Sequence, residues 1–302
     1  MSTERQTEDE LCVPLYFLDR VDLWKTVKPY NFQYYPKEDF PRHNFQHSPS
    51  ETRVRNMRAC VPPASLDVQG FAVHRLQTTM TYSDFDDEAT IESVYCRELE
   101  QHFKSALGAK AVRALDFQLR RREPEFPYFG GKLPLKPQPS LITHVDVTPD
   151  AAEAIIRELY GQDAASQILQ SRFQIITVWR PFRVPVRDWP LAICDATSFD
   201  QDDLIPADII YPKWIAENGM VHFNENQKWY WLPDHAHDEV LVFKAVDSDD
   251  PRVSACPHGA FPLPGQNGSA LTRESIDVRL LIMYADMVYP QPKPWSTGPV
   301  GA

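Results

Sequence analysis

The stretch Leu141-Ile142-Thr143-His144-Val145-Asp146 decides how this chain reads. A short β-rich run ends on an imidazole and a carboxylate two positions apart, and in a strand such alternate side chains share one face. Two His and one carboxylate on one side of a metal make the facial triad that suits non-haem Fe(II) and leaves other coordination positions open. The sequence therefore asks for a second His on a later strand, and Pro257-His258 supplies the candidate. Alone, His-x-Asp is a weak signal, because a chain with 9 His and many Asp produces the triplet readily by composition. Order and context carry the reading.

Composition narrows the class. With 302 residues, 43% hydrophobic and 24% charged, the chain has the make-up of a soluble globular protein with a large core. The formal net charge of -11 argues against a nucleic-acid partner, which needs Lys and Arg to neutralise phosphates. Arg120-Arg121-Arg122 is the local exception: a solvated strand end, or alternatively the edge of a pocket for an anion. The five Cys at 12, 60, 96, 194 and 256 include no C-x-x-C pair, so neither a disulfide scaffold nor a zinc ribbon is expected. MSTERQTEDE lacks the apolar core of a signal peptide and no run is long enough to span a bilayer, so the expected compartment is cytoplasmic, without a membrane partner.

Along the chain we expect an N-terminal arm over 1–66, irregular across 27–66 and packed near a pocket mouth. A β domain over 67–288 and a Pro-rich tail over 289–302 follow it. From Asp87 to Leu107, the spacing of Ile91, Val94, Tyr95, Leu99, Phe103 and Leu107 predicts an amphipathic helix. A second helix opens at Asp150 with a capping-box pattern to Glu153 and ends near Gly161. Strands are expected near 71–77, 140–147, 172–179, 190–196, 228–232, 239–246, at His258 and over 275–284. Gly130-Gly131 is a turn, not a phosphate loop. The fold class is mainly β (α+β), a double-stranded β-helix (jelly-roll) core with flanking helices.

Within the last strand Arg273, Ser275, Asp277 and Arg279 share one face, and Ile276, Val278, Leu280 and Ile282 the other. If the charged face points inward, an Arg can clamp a carboxylate with paired charge-assisted hydrogen bonds.

Five stretches extend the argument from ligands to words: HVDVTP at 144–149, FQIITVWRPF at 173–182, DWPLAICDA at 188–196, DEVLVFKAVDS at 238–248 and RESIDVR at 273–279. In order and spacing the chain resembles the Fe(II)/2-oxoglutarate-dependent oxygenases, in the branch of secondary metabolism that includes the asaB-like hydroxylases and desaturases and CmcJ. The resemblance implies Fe(II), 2-oxoglutarate and O2, with His144, Asp146 and His258 as metal ligands. It implies oxidation of an unactivated C–H of a small apolar secondary metabolite by hydroxylation, desaturation, cyclisation or peroxidation. Arg279 is the first choice to hold the cosubstrate, although Leu281 replaces the Ser often found two residues on. Arg273, with Ser275 two residues later, is the alternative. Thr177 stands where many relatives carry Asn, and Gln174, Trp179 and Arg180 are expected to line the pocket.

Rival readings remain open at this point. His235 and His237 alternate as a cupin-type metal pair would, without 2-oxoglutarate, although Pro233-Asp234 looks like a turn. Asp146 could instead cap the helix that follows it. Trp229, Tyr230 and Trp231 read as packing, Lys244 as an edge charge or a second site cation, and Cys194 and Cys256 as packing residues. A catalytically silent barrel serving another biosynthetic enzyme, or a homo- or hetero-oligomer, fits the same composition.

Overall fold

The computed structural model describes residues 10–37, 40–128, 133–265 and 271–293. Gly130-Gly131, most of the N-terminal decapeptide and the tail beyond 293 lie outside them. Fourteen strands are present among the described residues: β1 Glu10–Leu18, β2 Tyr30–Phe32, β3 His47–Asn56, β4 Phe71–Arg75, β5 Ala111–Arg121, β6 His144–Val145, β7 Phe173–Pro181, β8 Leu191–Cys194, β9 Leu204–Ile210, β10 Ile215–Val221, β11 Trp229–Trp231, β12 Glu239–Asp247, β13 His258–Ala260 and β14 Glu274–Met283. They form a nine-stranded sheet, β1-β3-β11-β8-β13-β6-β10-β9-β2, and a five-stranded sheet, β4-β12-β7-β14-β5. This is a jelly roll: strands far apart in sequence become neighbours, and an early His-bearing strand meets a late one.

Alternation decides what each face of the small sheet buries. On β7 and β14, Phe173, Ile175, Leu281 and Met283 join the core between the sheets. Ile176, Val178, Ile276, Val278, Leu280 and Ile282 instead pack under a helical layer with Ile91, Tyr95, Leu99 and Phe103. That layer runs through α1 Glu88–Thr90, a π-turn Ile91–Tyr95 and α2 Cys96–Ala106. The spacing predicted for this helix is the spacing it uses.

Two expectations change. Residues 10–56 are not an appended arm: β1 and β3 pair antiparallel over their whole length, and β3 continues into the sheet through β11. The Pro and aromatic content masked the alternation of Val13, Leu15 and Phe17, which are fully or almost fully buried. The second helix, α3 Pro149–Leu169, is capped by Thr148, whose Oγ1 accepts the Ala151 N–H at 3.2 Å, and not by Asp146 or Asp150. At Gly161, with φ of 71°, the backbone leaves helical geometry as expected, since glycine adopts this region without a Cβ clash, and a second helical stretch then continues to Leu169. No helix among the described residues is long and apolar enough to cross a membrane.

Candidate metal centre and cosubstrate pocket

Strand register places the triad. His144 on β6 and His258 on β13 are direct cross-strand partners, so their rings stand side by side with centroids 4.3 Å apart. Asp146, two residues after His144, emerges on the same side. Its Oδ1 lies 3.4 Å from His144 Nε2 and 3.5 Å from His258 Nε2. Among the described residues this is the group of His, Cys, Asp and Glu side chains that can hold a metal ion, with donor atoms within 4.8 Å of one another.

The surroundings fix which atoms face inward. His144 Nδ1 is 2.9 Å from the Ile142 carbonyl and 3.3 Å from Ser140 Oγ, and His258 Nδ1 is 3.2 Å from the Cys256 carbonyl. A ring nitrogen facing a carbonyl carries the proton, which leaves both Nε2 lone pairs available to a metal. Thr177, on β7 of the opposite sheet, donates its hydroxyl to Asp146 Oδ2, so Oδ1 alone is turned to the imidazoles. Burial and the neighbouring His258 lower the His144 pKa. Burial alone would raise the Asp146 carboxyl, but the two imidazoles outweigh it and hold it well below the usual carboxylate range. The donor set is thus two imidazoles and one carboxylate, which fits Fe(II).

A cavity opens beside the triad. Leu191, Trp179 and Phe243 line one part of it, and Thr177, Ser140, Arg120, Asp277 and Arg273 the other. Two arginines of the β14 face differ sharply here. Arg279 lies opposite Asp116 of β5 and gives that carboxylate both its Nε, at 2.6 Å, and its Nη2. Burial would lower the Arg279 pKa, but Asp116 raises it. Arg273 lines the cavity, is only 4% exposed, and its Nε has no hydrogen-bond partner. Burial, then the nearby Arg120, pulls its pKa down to about 9. Ser275, two residues on, has a buried hydroxyl that also lacks a partner. Buried donors without acceptors are costly in a native interior, and a carboxylate from a ligand would satisfy them.

Comparison with known proteins agrees with this arrangement. A family model described as an oxidoreductase/YMDC permease-like domain matches residues 15–283. The Fe(II)/2-oxoglutarate-dependent dioxygenase nvfI of Aspergillus novofumigatus is 33% identical over 259 residues, 82% of this chain and 88% of the relative. The chain belongs to the asaB-like branch of the Fe(II)/2-oxoglutarate-dependent oxygenases. The hydroxylase/desaturase efuI of Hormonema carpetanum is 32% identical over 77% of this chain and 83% of its own length. In solved structures, the W199F variant of the iron and alpha-ketoglutarate-dependent endoperoxidase NvfI superposes with a TM-score of 0.81 at 30% identity. That match covers 94% of this chain and 100% of the variant.

Set against this oxygenase fold, several expected site residues lie elsewhere. Gln174 and Arg180 have the wrong parity on β7: Thr177 and Trp179 face the cavity, so even-numbered positions face the helical layer or the strand's far end. Gln174 donates to Asp247 and accepts from Tyr284, while Arg180 sits over the Tyr95 ring near His237. Lys244 is neither an edge charge nor a site cation; it is fully buried on Asp247. His235 is buried beside Trp179 with Nε2 on the Glu239 carbonyl, while His237 is exposed, so the two form no metal pair. Trp229 and Trp231 pack in the core, as expected. All five Cys are unpaired, and Cys194 and Cys256 are buried.

The run Arg120-Arg121-Arg122 is partly buried and each member is paired with a carboxylate, Arg120 also lining the cavity. Arg120 pairs with Asp277 at 2.9 Å, Arg121 with Asp86, and Arg122 with Asp188. Sequence reasoning missed Ser140, Asp188 and the Trp189 carbonyl as partners of the site; each acts through a loop position that no periodicity marks.

Proposed function

We propose that His144, Asp146 and His258 hold Fe(II), that Arg273 rather than Arg279 receives the distal carboxylate of 2-oxoglutarate, and that the substrate is a small, largely apolar secondary metabolite. The observation that carries this reading is the unpartnered Nε of Arg273 in the same cavity as the triad. Arg279 commits the Nε edge of its guanidinium to Asp116 and, unlike Arg273, is not among the residues that line the cavity. Ser275 adds a hydroxyl donor beside Arg273, in the spacing Arg-x-Ser.

When loaded, the centre supplies the oxidising chemistry, coupling decarboxylation of 2-oxoglutarate and consumption of O2 to attack on an unactivated C–H. The chain's own residues position and exclude. Ile142 and Cys256 carbonyls hold the imidazoles in one tautomer, and Thr177 turns Asp146 to present one oxygen. Trp179, Leu191 and Phe243 give the cavity an apolar wall against which an apolar substrate excludes water. Relatives are named for endoperoxidation and for hydroxylation or desaturation, and these outcomes require the same initial attack. A cytoplasmic location accompanies the reading.

Anaerobic Fe(II) titration with and without 2-oxoglutarate tests it. The visible charge-transfer band of chelated cosubstrate should appear in wild type, vanish in His144→Ala and Asp146→Ala, and require far more 2-oxoglutarate in Arg273→Gln. Well-folded, iron-loaded protein without the band would sink the assignment.

A further inference from the structure

We propose that the Asp188–Trp189 turn is the positioning device for Arg273, and through it a determinant of cosubstrate affinity; this rests on Arg273 being the carboxylate anchor. Two groups hold the backbone of that residue. The Asp188 carboxylate accepts the main-chain N–H of Arg273 at 2.7 Å and also the Nε of Arg122. The main-chain N–H of Arg122 in turn donates to the Arg273 carbonyl at 2.9 Å. Arg273 is therefore held from both sides of its backbone by a closed ring of three residues just before β14 begins.

The side chain is held differently. Its Nη1 donates to the Trp189 carbonyl at 2.6 Å, and its guanidinium lies 5.2 Å over the Trp179 ring. Both partners are uncharged. They fix the plane and rotation of the guanidinium and leave its charge and its Nε uncommitted. The carboxylate that bonds Arg273, that of Asp188, takes its main chain and not its guanidinium. On Arg279 the reverse holds, with Asp116 taking the guanidinium edge itself.

Trp189 presents its carbonyl from φ of 46°, a left-handed conformation that a bulky residue rarely adopts. Its ring is anchored edge-on against Phe126, centroids 4.8 Å apart. A glycine would adopt this backbone without strain, but the ring contact with Phe126 that anchors the turn would be lost. Strain kept where a carbonyl orients a buried cation is the pattern of a pre-organised site.

The test compares Asp188→Ala, Asp188→Asn, Trp189→Gly and Arg273→Gln with wild type. It measures the Kd for Fe(II), the Kd for 2-oxoglutarate from the anaerobic absorption band, and the Tm of the metal-free protein. Asp188→Ala and Trp189→Gly should each weaken 2-oxoglutarate binding about tenfold while Fe(II) affinity stays within about twofold. Asp188→Asn, whose amide oxygen can still accept the Arg273 N–H, should recover most of that loss. Trp189→Gly should do this without lowering Tm as Asp188→Ala does, and so keeps the test open if the latter folds poorly. If both turn variants bind 2-oxoglutarate like wild type while Arg273→Gln does not, the positioning role is overturned and the anchor stands. If Arg273→Gln also binds normally, the anchor assignment falls. Parallel losses of Fe(II) and 2-oxoglutarate affinity in the turn variants would mean a merely structural role and overturn the proposal.

Discussion

Arg273 and Arg279 share one face, the first just before β14 and the second in its middle, yet one is open and the other closed. The strand pairing explains the difference. Arg279 falls directly opposite Asp116, so the sheet itself delivers a carboxylate to its guanidinium. Arg273 lies one residue before β14, beyond the paired ladder, and its guanidinium bonds a carbonyl and lies over an aromatic face rather than pairing with a carboxylate. A closed pair contributes to holding two strands together; an open buried cation is a cost that a ligand can relieve.

The strongest way to break this comparison is to neutralise each arginine in turn. Arg273→Gln should lose on the order of 100-fold or more in 2-oxoglutarate affinity, since removing one side of a buried charge-assisted pair costs about 3–5 kcal/mol. Its unfolding free energy should be unchanged or slightly higher, because a buried unpaired cation has gone. Arg279→Gln should do the opposite. It leaves Asp116, with a side chain only 3% exposed, without its cation, and should lower unfolding free energy by about 3–5 kcal/mol while the folded fraction binds 2-oxoglutarate nearly as wild type. Urea unfolding and anaerobic titration separate the two. A swap of the two phenotypes would return the anchor to Arg279.

A double variant sharpens the closed half. Asp116→Asn with Arg279→Gln removes both charges, so its unfolding free energy should exceed that expected from adding the single effects by about 1–3 kcal/mol. Strict additivity would mean that the pair seen across β5 and β14 does not couple.

How much of this was legible beforehand follows from the same distinction. The triad was readable because strand alternation fixes His144 with Asp146, and a jelly roll must bring a late strand to meet them. The charged face of β14 and the apolar face beneath the helix were readable for the same reason. Choosing between Arg273 and Arg279 was not, because the choice depends on which residue of β5 lies opposite, and register is a tertiary fact. Gln174 and Arg180 were recoverable errors: their parity on β7 differs from that of Thr177. Trp189 left no signal, since nothing in Asp-Trp-Pro announces a left-handed Trp.

Thr177 links the two sheets at the metal and predicts a smaller effect. Thr177→Val keeps the shape and removes the hydroxyl donated to Asp146 Oδ2. Fe(II) affinity should fall about tenfold, in the range of lost outer partners of metal ligands, with 2-oxoglutarate affinity at saturating Fe(II) little changed. An equal loss of both would mean that Thr177 also acts on the cosubstrate directly.

The smallest effect concerns a second closed network, and its pH dependence distinguishes closed ion pairs from the open arginine. Asp247 accepts from Lys244, Arg172 and Gln174. Burial alone would raise its carboxyl, but those donors outweigh burial and hold it at about 2, below the ordinary 3.8. A carboxyl depressed in the folded state contributes stability that is complete above its unfolded pKa and is lost as pH falls through the folded one. Asp247→Asn should therefore be destabilised relative to wild type at pH 7, and the gap should narrow between pH 4 and pH 2. In wild type no carboxylate is hydrogen-bonded to the Arg273 guanidinium, so the difference of Arg273→Gln from wild type should change less over that window. Unfolding free energies at pH 7, 4 and 2.5 check this, and a gap for Asp247→Asn that stays constant would mean that the carboxylate's charge does not hold Lys244 and Arg172 in place.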